Sequence, residues 1–136
     1  MDEALARAVQ ERANFACEYC RFPAHLYPTG FEIEHIISRQ HGGPTTFGNL
    51  AYACQRCNKL KGPNLSSIDR TTSRTRLVRL FNPRRHLWSF HFAWDGPRIV
   101  GRTAIGRVTI ALLGMNERLR VTSRTQLLAE GWNPNE

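Results

Sequence analysis

The apolar residues in the first half of the chain change from a helical to an extended spacing. Leu5 and Val9 lie on one face of a helix, among alanines. The later segment FEIEHII is rich in Phe and Ile, which is typical of a strand. The predicted elements are a helix over 2–14, a loop marked by Pro23, Pro28 and Gly30, strands over 31–37 and 49–53, and a short helix over 55–61 that ends at Gly62-Pro63.

The pattern changes after Pro63, because residues 64–76 are polar and rich in Ser, Thr and Arg. This composition predicts a linker or a mobile arm. Alternating aromatic residues from Trp88 to Trp94 predict one apolar face of a strand that packs on the last two helices. The elements predicted for this half are a strand over 77–80, a short helix beginning at Asn82-Pro83, a hairpin over 88–100 with Asp95-Gly96 in its middle, and helices over 103–113 and 116–129.

The length of 136 residues fits one domain, or a small core with an extension. We expect a core over 1–63 and, over 64–136, a basic linker or arm followed by a hairpin and two helices that pack on the core. No apolar run reaches the roughly 18 residues of a membrane span, and the N-terminus does not resemble a signal peptide. We therefore expect a cytoplasmic protein, and no protein partner or oligomeric state is evident.

The chain is basic, and its charge is unevenly distributed. Its formal net charge is +8, from 17 arginines, two lysines and 11 acidic residues. Residues 1–63 carry a net charge of +1, whereas residues 64–136 carry twelve arginines against five acids, a net charge of +7. The planar fork of arginine donors suits phosphate, so this asymmetry favours a polyanionic partner. A solvated basic surface is the alternative interpretation.

A run of six arginines between residues 70 and 85 contains no acidic residue. Such a run can neutralise several phosphates and give sequence-independent, salt-sensitive affinity. A charged, disordered linker is the alternative, and the two are compatible because a mobile arm can become ordered on DNA. The arginines predicted to bind nucleic acid are Arg70, Arg74, Arg76, Arg79, Arg84 and Arg85.

Four cysteines form two C-x2-C pairs, Cys17 with Cys20 and Cys54 with Cys57. Two such turns supply four thiolates to one tetrahedral Zn²⁺, and a strand–loop–strand excursion would fill the 33 residues between them. Because four thiolates leave no open coordination position, we expect this zinc to be structural. Four buried or disulfide-linked cysteines are the alternative, although a disulfide across C-x2-C is rare outside redox sites.

Residues 15–63 resemble the HNH endonuclease family, in the form with asparagine as the third letter of the motif. The resemblance rests on the strings CEYC, FEIEHIISRQHGG and NLAYACQRCNKLKG, which place an acid–His pair, a Gly-Gly loop, Asn-Leu and C-x2-C-N-x2-K-G in order. It implies an α+β protein with a ββα-metal core, here held by the four-cysteine zinc site, to which a C-terminal hairpin and helices are added. It also implies a nuclease that depends on a divalent ion and acts on DNA.

The resemblance further implies a role for each residue of the motif. His35 would be the general base, and Asn49 would orient it through its side-chain carbonyl. Asn58 and Glu34 would bind Mg²⁺ or Mn²⁺. Lys59 and Lys61 could contact the DNA backbone.

The chemistry of these residues is consistent with phosphodiester hydrolysis. A neutral imidazole is a competent base at neutral pH, and a hard cation accepts carboxylate and amide oxygens. Glu34 and His35 are neighbours on a strand and point to opposite faces, so they can share a site only if the strand bends or the ion lies at its edge.

Each of these residues also has a plainer interpretation. Glu34 could be a solvated carboxylate, His35 a structural histidine, Asn49 a turn residue and Asn58 a helix cap. The functional hypotheses are accordingly a metal-dependent DNA endonuclease, a non-catalytic zinc-knuckle protein that binds nucleic acid, and a structural zinc protein.

Overall fold

The computed structural model of the chain describes residues 1–27 and 30–135, so Pro28, part of a predicted loop, lies outside the described residues. The chain divides into two compact units. The first unit comprises Met1–Leu65 and Asn82–Arg85, and the second unit comprises Ser66–Phe81 and His86–Glu136. Helices and small antiparallel sheets occur together in the chain, which confirms the α+β class.

The first unit follows the predicted order of helix, strand, loop, strand and helix. Its strands are antiparallel, with Glu34 opposite Ala51 and His35 opposite Leu50. Among its described residues, short 3-10 helices lie in the loops at Ala24–Leu26, Arg39–His41 and Phe47–Asn49. Its main elements are α1 (Glu3–Arg12), β1 (Glu32–His35), β2 (Leu50–Ala53) and α2 (Gln55–Lys61).

Helix α1 covers one face of the β1–β2 pair. It begins where the Asp2 carboxylate accepts a hydrogen bond from the Ala4 amide at 2.9 Å. Val9 and Leu50 are fully buried in the apolar cluster beneath it, and Ile33 packs against that cluster. Because strand residues alternate, the opposite face of β1 carries Glu34, and α2 packs against this strand.

The described residues of the second unit form two β-hairpins and three helices. Its apolar core includes Val78, Leu80 and Val108. Helix α4 begins at Thr103, whose hydroxyl accepts a hydrogen bond from the Gly106 amide at 3.1 Å. Its elements are β3 (Ser66–Ile68), β4 (Leu77–Arg79), α3 (Trp88–His91), β5 (Phe92–Asp95), β6 (Arg98–Gly101), α4 (Ala104–Leu112) and α5 (Arg118–Ala129).

The prediction of a linker or mobile arm over 64–76 is wrong. This segment contains β3, which pairs with β4, and then a turn built on Asp69. The Asp69 carboxylate accepts from the Thr71 hydroxyl at 2.7 Å, and the Asp69 carbonyl accepts from the Ser73 amide at 3.1 Å. Polar residues order this segment through side-chain hydrogen bonds, which a reading of composition alone does not detect.

Two further elements differ from the prediction. Asn82 does not start a helix, because its side chain accepts from the Arg84 amide at 2.9 Å and closes a turn instead. The predicted hairpin begins only at β5, since Trp88–His91 is one helical turn, in which Phe90 is 66% exposed. Trp88 and Phe92 still meet, with ring centroids 5.0 Å apart, because a spacing of four residues also brings side chains together on a helix.

None of the described helices is long and apolar enough to cross a membrane.

Candidate functional site

The four cysteines meet in one buried cluster in the first unit. Their sulfur atoms all lie within 4.8 Å of one another, and the Cys20 and Cys54 sulfurs are 3.8 Å apart. A tetrahedral ion with Zn–S bonds of about 2.3 Å places neighbouring sulfurs about 3.8 Å apart. None of the four forms a disulfide in the described part of the chain. The cluster therefore has the donor set and the spacing of a structural zinc site.

The backbone around the cysteines supports this interpretation. In each C-x2-C turn the second cysteine's amide donates to the first cysteine's sulfur, at 3.4 Å in both turns. Burial raises the pKa of the Cys17 and Cys57 thiols well above the ordinary value. A cation is thus needed to hold them as thiolates, which is what a bound zinc supplies.

Glu34 lies on the face of β1 toward α2, and its carboxylate is buried. One of its oxygens accepts a hydrogen bond from the Tyr19 hydroxyl, and the other lies 3.3 Å from the Lys61 ammonium. Burial raises the pKa of the Glu34 carboxyl, against the opposing effect of Lys61. The interpretation of Glu34 as a solvated carboxylate is therefore wrong.

Lys61 has a different position from the predicted one. Its side chain is only 2% exposed, and its ammonium donates to the Ile36 carbonyl at 2.9 Å in addition to pairing with Glu34. A buried ammonium does not reach a DNA backbone, so the prediction for Lys61 is corrected. Lys59, two residues earlier on α2, is exposed.

Asn58 lies inside α2 rather than at its end. Helix α2 is capped by Cys54, and the Asn58 amide donates to the Cys54 carbonyl at 3.0 Å, so the interpretation of Asn58 as a helix cap is wrong. The Asn58 side-chain amide donates to the carboxylate of Glu32, an exposed residue at the start of β1. Glu32 was not identified from the sequence. The available signal was its position two residues before Glu34, because alternate residues of a strand lie on the same face.

His35 lies at the end of β1 and is half-buried. Its Nε2 atom lies 2.8 Å from the Thr45 hydroxyl. Strand alternation places His35 on the face of β1 that carries Ile33, opposite the face of Glu34. Thr45 belongs to the loop between the two strands and was not singled out by sequence reasoning, because a loop threonine carries no signal of its own.

Asn49 is buried and closes that loop. Its side-chain carbonyl accepts from the Ile37 amide at 3.0 Å, and its side-chain amide donates to the Ile37 carbonyl at 3.0 Å and the Pro44 carbonyl at 2.9 Å. The predicted contact of this carbonyl with His35 is thus replaced by a contact with the backbone of Ile37.

The Gly-Gly part of the motif is explained by the same loop. A Cβ atom on Gly43 would lie 1.7 Å from the Ile37 carbonyl oxygen, so only glycine fits there. Gly42 has φ +81°, the left-handed conformation that ends the 3-10 helix Arg39–His41.

Two guanidinium groups converge on the backbone opposite His35. The Leu50 carbonyl accepts from Arg12 at 2.6 Å and from Arg84 at 3.0 Å. Arg84 also forms an ion pair with the buried carboxylate of Glu18, so the prediction that Arg84 contacts DNA is corrected. Burial and the charge of Arg84 lower the pKa of Arg12. The other predicted DNA-binding arginines are exposed, namely Arg70, Arg74, Arg76, Arg79 and Arg85.

Comparison with known proteins agrees with this geometry. Residues 17–64, about a third of the chain, match the model of the HNH endonuclease family. The curated proteins and the solved structures compared with the chain contain no significant match. Residues 17–64 therefore match the HNH endonuclease family and contain a four-cysteine metal site.

Proposed function

We propose that this protein is a metal-dependent endonuclease that hydrolyses DNA phosphodiester bonds, with His35 as its general base. The observation that carries the proposal is a half-exposed imidazole, bonded at Nε2 to Thr45, within a domain that matches the HNH family. The zinc site is closed by four thiolates, so the chemistry belongs to other residues.

The base accepts a proton from a water molecule as that water attacks phosphorus. An imidazole with one nitrogen held by a neighbour has a defined orientation, and its other nitrogen is available for the water. This role needs access to solvent, which the half-buried position of His35 provides.

Asn58, Glu34 and the adjacent Glu32 are the proposed ligands of the divalent ion. Glu32 and Glu34 are two residues apart on β1 and share the face toward α2, on which Asn58 bonds to Glu32. Their carboxylate and amide oxygens are the ligands that Mg²⁺ and Mn²⁺ prefer. When bound, the ion supplies positive charge to the phosphate and the leaving oxygen. Because these ligands lie on the face of β1 opposite His35, the proposal requires the ion and the base to act on one phosphate from the two sides of the strand.

Exposed arginines of the second unit are the proposed DNA-binding residues, together with Lys59 and Arg85 of the first unit. Asp69, the only acid near them in sequence, is buried and pairs with Arg107 at 2.9 Å. The negative charge of Asp69 is therefore neutralised by Arg107 inside the unit. It does not offset the positive charge of the exposed arginines on β4 and in the segment before it. These are Arg70, Arg74, Arg76 and Arg79.

The test is cleavage of supercoiled plasmid with Mg²⁺ or Mn²⁺. We expect the protein to nick the plasmid, chelation of the divalent ion to stop the reaction, and His35→Ala to slow it on the order of 10²- to 10⁴-fold, the range for loss of a general base. His25→Ala is the matched control, because His25 is an exposed histidine of the same unit. Equal cleavage by His35→Ala and the unmodified protein would exclude His35 as the base.

The alternative is a zinc-knuckle protein that binds nucleic acid without cutting it. The Glu34–Lys61 ion pair favours this alternative, because the ammonium already neutralises a carboxylate that the nuclease would use for its metal. Tight, metal-independent binding to DNA without any cleavage would support it.

A further inference from the structure

We propose that Thr45 is a positioning residue that keeps a proton on Nε2 of His35 and so leaves Nδ1 as the atom that accepts the proton from water. This inference rests on the proposed function, since it assigns the atom with which His35 acts. Its physical basis is the contact of 2.8 Å between His35 Nε2 and Thr45 Oγ1.

The backbone on both sides of Thr45 is anchored to one residue. The Pro44 carbonyl accepts from the Asn49 side-chain amide at 2.9 Å, and the Thr46 carbonyl accepts from the Asn49 backbone amide at 2.9 Å. Thr45 itself is exposed, yet its position is defined by these two bonds.

The remainder of the loop restricts Thr45 further. The Gly43 amide donates to the Ser38 carbonyl at 3.0 Å, and Gly43 packs so closely on Ile37 that a side chain would not fit. Asn49 therefore acts on His35 through Thr45, rather than by direct contact.

The tautomer of the imidazole decides whether it can act as a base. A threonine hydroxyl can donate or accept, and a neutral imidazole carries one N–H. With the proton on Nε2, Thr45 accepts and the lone pair of Nδ1 is available. With the proton on Nδ1, Thr45 donates to Nε2 and occupies the one basic lone pair of the ring, so neither nitrogen can accept a proton from water.

The proposed step is balanced with the Nε2–H tautomer. The O–H bond of water breaks, its proton forms an N–H bond at Nδ1, and the oxygen forms a bond to phosphorus as the bond from phosphorus to the leaving oxygen breaks. The leaving oxygen takes a proton from solvent. The hydrogen bond from Nε2 to Thr45 persists throughout, so Thr45 does not have to move.

The experiment compares Thr45→Val, which removes the hydroxyl with little change in shape, with Thr45→Ser, which retains it. Thr46→Val is the matched control, because the Thr46 side chain makes no capping hydrogen bond to the 3-10 helix that follows it. Two quantities are measured, the His35 tautomer by ¹⁵N NMR at neutral pH and the single-turnover rate of plasmid nicking.

We expect the Nε2–H tautomer in the unmodified protein, in Thr45→Ser and in Thr46→Val, and a mixture of tautomers in Thr45→Val. We also expect Thr45→Val to lower the maximal single-turnover rate on the order of 10-fold, a part of the general-base effect, without changing the protein concentration that gives half of this rate. An Nδ1–H tautomer in the unmodified protein, or an unchanged tautomer in Thr45→Val, would overturn the proposal. The two proposals fail separately, because the NMR measurement does not depend on cleavage. Absence of nicking would overturn the nuclease function, whereas the tautomer of His35 decides the role of Thr45.

Discussion

The side chains of Glu34 and Lys61 form an ion pair of 3.3 Å in which both are almost fully buried. Lys61→Met should lower the free energy of unfolding by about 3–5 kcal/mol, because it leaves a buried carboxylate without its cation. The measurement is unfolding in urea, with the release of zinc as its signal. Zinc release reports the unfolding of the first unit because the four cysteines belong to that unit.

Lys59→Met is the control for this change, because Lys59 is exposed on the same helix. We expect it to change stability by less than about 0.5 kcal/mol. The double variant Lys61→Met, Glu34→Gln should recover part of the loss. Equal stability of Lys61→Met and the unmodified protein would contradict the buried ion pair.

Cys57→Ser should remove zinc and unfold the first unit. The four-cysteine cluster holds two chain segments together, and structural zinc sites contribute roughly 10 kcal/mol or more to folding. Metal analysis should find one zinc per chain in the unmodified protein and much less in the variant. Retention of a full zinc equivalent by Cys57→Ser would show that the cluster is not the zinc site.

Asn58→Ala should leave the fold and the zinc content intact and weaken metal-dependent cleavage. Asn58 lies inside α2, where alanine is the most favourable residue, so the helix does not need this side chain. The checks are thermal unfolding and the concentration of Mg²⁺ required for half-maximal nicking, which should rise. Glu32→Gln should act in the same direction, because Glu32 bonds to Asn58. If Asn58→Ala unfolds like the cysteine variant, its role is structural.

Arg74→Gln and Arg76→Gln should weaken DNA binding together and reduce its salt dependence. Each lost phosphate contact should lower the slope of log K against log salt by about 0.9 in magnitude. The measurement is fluorescence anisotropy with a DNA duplex and no divalent ion. Arg84→Gln should instead destabilise the first unit, because Glu18 is buried against Arg84. A salt slope that is the same in all three variants would contradict this division.

Asp69→Asn should make the second unit less sensitive to acid. Hydrogen bonds from Thr71 and the ion pair with Arg107 hold the pKa of Asp69 well below its ordinary value of 3.8. The stability that this gives is present above that ordinary value and is lost as the pH falls below it. All three tryptophans of the chain lie in the second unit, so their fluorescence reports its unfolding in urea.

We expect the unmodified protein to lose more stability than Asp69→Asn as the pH falls from about 5 to about 2, the range in which an ordinary aspartate becomes protonated. Asp95→Asn, an exposed carboxylate at the end of β5, is the control and should behave like the unmodified protein. The same loss in Asp69→Asn and the unmodified protein would contradict the role of Asp69.

The sequence predicted the parts of the fold that depend on short motifs. The two C-x2-C turns need only local backbone geometry to present their sulfurs, and the strand–loop–strand–helix order follows from residues 31–62 alone. The partners of polar side chains could not be predicted in this way. Arg84 pairs with Glu18, which is 66 residues away in sequence. Because such a distant partner leaves no local signal, the sequence does not distinguish an arginine in an internal ion pair from an exposed arginine that binds phosphate.

Lys61 and the segment after Pro63 show two other reasons why the structure differs from the prediction. Lys61 follows Asn58 by three residues on α2, a spacing that turns its ammonium toward β1, whereas its charge alone suggested an exposed residue. The polar segment around Asp69 was predicted to be a linker, because its order comes from hydrogen bonds to one carboxylate rather than from apolar burial.

The discontinuous first unit has a practical consequence for cutting this chain into pieces. A fragment that stopped at residue 65 would retain every cysteine and the whole HNH segment, yet it would lose Arg84, which returns to this unit from later in the chain. Glu18, which lies within the first zinc turn, would then lose the guanidinium with which it pairs, and the Leu50 carbonyl would lose one of its two side-chain donors. A fragment that contains the whole first unit therefore extends at least to residue 85.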